Sequence, residues 1–143
     1  MARLDSLIRV KKHRVDEKQK ALGRLYREME ELQAEKQTVL DAQEKERLIA
    51  EEMASDVSVQ QSYAAFKERV KARLNGIKQK EARLETRILV AQDDMKDAFA
   101  DLKKVEIVDE NRKEKEKKER LKKENETLDE IGITRFLEDS DQN

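Results

Sequence analysis

The sequence predicts an all-α protein: a long antiparallel two-helix coiled-coil hairpin with a charged single-helix C-terminal extension. Three observations predict it. Charged residues fill 45% of the 143 positions, against about 25% in ordinary globular chains. Aromatics are 3%, Trp and Pro are absent, and Gly occurs three times. Apolar residues recur at alternating spacings of four and three, the pattern of a narrow seam between long helices. Disordered chains are also polar and charged, but they carry Pro, Ser and Gly and lack sustained periodicity.

Helix 1 is predicted over residues 1–54. Its seam positions run Leu4, Ile8, Lys11, Val15, Lys18, Leu22, Leu25, Met29, Leu32, Lys36, Val39, Gln43, Glu46, Ala50 and Met53, and ten of these fifteen are apolar. A turn follows at residues 55–62, where charge thins and Ser and Asp cluster. Ser58 with Gln61 fits a capping box opening the next helix, and Ser55 or Asp56 are alternative caps.

Helix 2 is predicted over residues 63–127. From Tyr63 the same spacing passes through Lys67, Val70, Leu74, Ile77, Glu81, Leu84, Ile88, Ala91, Met95, Ala98, Leu102 and Val105, with eleven of thirteen apolar. Residues 109–127 keep Lys and Glu but lose the seam, and read as a single solvated helix held by Glu/Lys pairs. Residues 128–143 are expected to form an acidic, mobile tail carrying Leu128, Ile131, Ile133, Phe136 and Leu137.

Charge chooses the pairing. Residues 1–24 hold eight Lys/Arg and three Asp/Glu, net +5, and residues 25–54 hold four and nine, net −5. Residues 62–91 hold eight and three, net +5, and residues 92–115 hold six and eight, net −2. Folding back near residue 57 sets opposite charges together in both halves. A parallel in-register homodimer would set like against like, and flanking charges select orientation in coiled coils. Phe66 falls one position before the seam slot at Lys67. It either tucks over the seam edge or presents a small docking patch.

The same residues argue against several kinds of chemistry. There is no Cys, hence no disulfide or thiolate site, and a reducing compartment is the natural setting. No apolar run approaches the ~20 residues of a membrane span, and Arg9, Lys11 and Lys12 follow Leu7 and Ile8 too soon for a signal peptide. His13 is alone and reads as a surface residue. The carboxylates sit on an open surface without a pocket to shift a pKa, and the three Gly form no phosphate loop. No catalytic residue, metal or cofactor is therefore expected. The basic stretch "RVKKHRVDEKQK" has no interleaved aromatics, so no nucleic acid is expected either.

Three stretches carry a resemblance: "LIRVKKHRVDEKQKALGRLYREMEEL", "SYAAFKERVKARL" and "RKEKEKKERLKKENETLDEIGITRF". They resemble the FliJ family of flagellar export proteins over most of the chain. The resemblance implies an antiparallel coiled coil, similar to the stalk subunit of rotary ATPases. It implies a cytoplasmic protein at the base of the flagellum, whose partners are the hexameric export ATPase, the membrane export gate protein and export chaperones. ATPase-ring contacts would then fall on Leu4, Leu7, Ile8, Lys11, Lys12, Ile107, Val108 and Arg112, reaching towards Phe136. Gate contacts would fall on Phe66, Val70 and Ile77, although Val70 and Ile77 also occupy the internal seam. The alternative from the residues alone is a cytosolic coiled-coil adaptor or export chaperone, and after it a nucleic-acid-associated coiled coil.

Overall fold

A computed structural model describes residues 2–141. Two helices account for almost all of them, α1 over Ala2–Glu52 and α2 over Val57–Asp141, and there is no strand among the described residues. The chain divides into two compact units: residues 13–98 form one, and residues 1–12 with 99–143 form the other.

The first unit is built on one seam. Val15, Leu22, Leu25, Leu32, Val39 and Ala50 of α1 are buried, as are Val70, Ile77, Leu84 and Ala98 of α2. Every one sits on a slot of the four-three spacing, because that spacing returns a side chain to the same helix face. Leu25, Leu32, Val39, Val70, Ile77 and Leu84 form one cluster, with Met29, Phe66, Leu74, Ile88 and Ala91 packed at its edges. Polar side chains reach across the flanks of the two contacting helices. Gln92 donates to the Tyr26 hydroxyl at 2.8 Å, Arg87 lies 3.6 Å from Glu28, and Glu81 accepts from Gln33 at 3.0 Å.

The turn is tighter than the sequence suggests. α1 ends at Glu52 and α2 begins at Val57. The cap is Asp56, whose carboxylate accepts from the Val59 amide at 3.3 Å. A charged acceptor suits the positive end of a helix better than the Ser58 hydroxyl does, which explains the earlier start. No described residue has positive φ, so α1 is not closed by a left-handed glycine cap. Instead the Gln60 side-chain Nε2 donates to the carbonyls of Ala50 and Met53, at 2.8 and 3.3 Å. Arg47 bridges Glu44 and Glu51 along the last turns of α1. Its hydrogen bond holds the Glu44 carboxyl below the usual carboxylate range.

In the second unit, Leu102 and Asp109 are buried and Leu4, Ile8, Lys11 and Val105 are half-buried. From Glu110 to Asp141 every residue is exposed, and the helix continues where a tail was expected from residue 128. With no proline after the turn, nothing in the sequence forces a stop. Residues 142 and 143 of the predicted tail lie outside the described residues.

Gly76 lies inside α2, with open space where a Cβ would project. Its helical backbone suits any residue. Gly76→Ala is therefore expected to add about 0.5–1 kcal/mol by removing unfolded-state freedom. A higher urea midpoint at unchanged slope is the result expected. A loss of stability would mean that the Gly serves a contact.

Candidate functional site

Two surface regions can meet a partner. The first belongs to unit 13–98 and flanks the seam just past the turn. A shallow groove of about 320 Å³ is lined by Val39, Ala42, Phe66, Arg69, Val70 and Arg73. Phe66 is half-buried, its ring packed against the core cluster and covered on one side by the Arg69 guanidinium 6.0 Å from the ring centre. It packs over the seam edge and lines the groove. Val70 and Ile77 are only 6% and 3% exposed. Of the three residues the resemblance suggested here, Phe66 alone is not buried. Nearby, Leu48, Ile49, Met53 and Val57 are exposed apolar residues around the turn. Leu48, Ile49 and Val57 fall off the four-three slots, and isolated surface aliphatics are common; Met53 holds the last predicted seam slot of α1, but at 46% exposure it lies past the end of the packed seam.

The second region belongs to the unit of residues 1–12 and 99–143. Leu7, Ile107 and Val108 are exposed, at 39%, 54% and 45%. Lys12 and Arg112 are exposed too, while Leu4, Ile8 and Lys11 are half-buried. The outward-facing aliphatics are thus set among cations. Beside them lies a polar cluster that sequence reasoning missed. Asp109 is 7% exposed, with its carboxylate 2.9 Å from Lys113 Nζ, which also stands 3.9 Å from Asp5. Continuing the four-three spacing one step beyond Val105 reaches Asp109, so the signal was there to find.

The hydrogen bond to Asp109 is the largest influence on Lys113, followed by the charges of Asp109 and Asp5, and together they raise its pKa. A raised lysine pKa stabilises the fold at every pH below the unfolded value. That contribution fades only as pH rises through the raised value.

His13 pairs with Glu17 at 2.9 Å on the exposed surface. No group of His, Cys, Asp or Glu among the described residues is arranged to hold a metal ion, and no described helix is long and apolar enough to cross a membrane.

Two long helices packed along one apolar seam, with charged flanks, define a coiled-coil protein. The family model described as "Flagellar FliJ protein" matches residues 1–140, and the chain belongs to the FliJ family. Membership makes it a protein associated with flagellar export, and the match indicates no enzyme family. No curated protein matches the chain, and no solved structure does.

Proposed function

We propose that this chain is the non-enzymatic stalk and coupling protein of a flagellar-type export apparatus, working in the cytoplasm at the base of the flagellum. In this reading α1 and α2 form an antiparallel hairpin with a charged extension. Partner numbering supports that orientation: Tyr26, Glu28 and Lys36 on α1 meet Gln92, Arg87 and Glu81 on α2. The end holding Leu4, Leu7, Ile8, Lys11, Lys12, Ile107, Val108 and Arg112 enters the ring of the hexameric export ATPase and promotes its assembly. The observation that carries this assignment is the exposure of Leu7, Ile107 and Val108 beside Lys12 and Arg112, in a chain matched by its family from residue 1 to 140.

The groove at Phe66 meets the membrane export gate protein, with Val70 and Ile77 supporting it from beneath. Export chaperones are further partners of the exposed helix faces. Hydrolysis belongs to the ATPase.

The test is ATP hydrolysis by the flagellar export ATPase of the same organism, with and without this protein, with particle size followed in parallel. Stimulated hydrolysis together with ring formation is expected. Phe66→Ala is expected to leave that stimulation and the helicity intact while weakening binding to the gate protein about tenfold, ~1.4 kcal/mol. If neither hydrolysis nor size responds to the wild-type protein, the stalk reading fails and the adaptor reading takes its place.

A further inference from the structure

We infer that the exposed arm of α2, residues 110–141, pairs antiparallel with the same arm of a second copy of this chain. Lys113 stands 3.9 Å from Asp5 at the base of the arm; beyond it the arm is one continuous, fully exposed helix. Leu121, Leu128 and Ile131, spaced seven and three apart, stand on one face at 48%, 64% and 46% exposure. That spacing is the seam pattern of a coiled coil that lacks its second strand.

Charge names the second strand. Residues 112–123 hold eight Lys/Arg and three Asp/Glu, net +5. Residues 124–141 hold seven Asp/Glu and one Arg, net −6. The acidic half is poorly served within its own helix. Glu126 and Glu130 repel four residues apart. The last turn has no basic residue, so Glu138, Asp139 and Asp141 face the negative end of the helix dipole uncompensated. The basic half does better, with Glu114 and Lys118 paired at 3.6 Å. What the acidic half needs is a cationic helix of similar length, and the arm of another copy is one.

An antiparallel pair with its twofold axis near residue 126 lays each basic half on an acidic half. It sets Leu121 of one copy opposite Ile131 of the other, with Leu128 beside them. The contact is isologous and closes at two chains. A parallel pair would set like charges together along the whole arm. Pairing withholds the face of Leu121, Leu128 and Ile131 from other partners, and leaves Ile133, Phe136 and Leu137 on the opposite face open.

The experiment reads mass and crosslinking of the full chain, independently of any ATPase assay. Sedimentation should show dimer at low salt, and monomer at about 1 M salt, where the screening length is about 3 Å. Reversing the basic half (Lys117→Glu, Lys118→Glu, Lys122→Glu and Lys123→Glu together) should abolish the dimer. So should reversing the acidic half (Asp129→Lys, Glu130→Lys, Glu138→Lys and Asp139→Lys together). An equimolar mixture of the two variants should restore it, which a mere folding defect in either could not do.

The chain has no Cys, so single introduced thiols report cleanly. Asn125→Cys, near the axis, should link two copies through a short bis-maleimide. Lys115→Cys should not, since its two copies would stand about 33 Å apart along the helices at 1.5 Å per residue. A chain that stays monomeric at low salt and high concentration overturns the inference and leaves the acidic half to a basic partner protein. Equal crosslinking at both positions, or a dimer that survives both reversals, overturns it as well.

Discussion

Ile77→Ala is expected to cost about 2–5 kcal/mol of stability, near the lower end because Ala is the better helix former. Ile77 is 3% exposed and shares its cluster with Leu25, Leu32, Val39, Val70 and Leu84. Two helices make a core one layer thick, so a deleted side chain has few neighbours able to close the gap. Ile107 provides the comparison. It lies off the seam at 54% exposure, and Ile107→Ala should be neutral or slightly stabilising. Both are read from urea unfolding followed by circular dichroism. Equal effects from the two substitutions would mean that the seam does not hold the helices together.

Glu81→Leu is expected to stabilise the protein by about 1–2 kcal/mol while loosening its choice of pairing. Glu81 occupies a seam slot with its side chain 16% exposed, 3.7 Å from Lys36 and hydrogen-bonded to Gln33. Desolvating such a carboxylate costs about what its partners return, so a leucine in its place is favourable. Lys36 would not be stranded, since 42% of its side chain is already exposed. The loss is in specificity. A polar layer at one seam position penalises every pairing that fails to match it. The variant should unfold at higher urea yet sediment as a mixture of species. A destabilised, monodisperse variant would show instead that Glu81 contributes net stability.

The helices and their contact face were readable from residue order alone. Leu22, Leu25, Leu32 and Val39 on α1, and Val70, Ile77 and Leu84 on α2, are apolar at fixed spacing and buried for that reason. Lys36 and Glu81 are polar slots in the two four-three spacings, and the structure brings them within 3.7 Å of each other. The turn was harder. Ser55, Asp56 and Ser58 are all competent caps, and only the amide each can reach decides among them. Asp109 was missed because a lone carboxylate in a charged stretch looks like its neighbours, and its burial depends on what lies across from it. The candidate contact surfaces were the least legible. Phe66 announces itself as an off-slot aromatic, whereas Leu48, Ile49 and Val57 carry no periodic mark.

The cross-helix contacts also set an order of assembly in time. The Gln60 amide reaches Ala50 across 10 residues of chain, Glu81 reaches Gln33 across 48, and Gln92 reaches Tyr26 across 66. Closing a longer loop costs more entropy, but each contact already made shortens the loop left to close. In the antiparallel hairpin proposed above, folding therefore zips outward from the turn. On the ribosome, Tyr26 must wait for Gln92 to emerge, and Asp5 for Lys113. In each such pair the residue made first waits for a partner made much later.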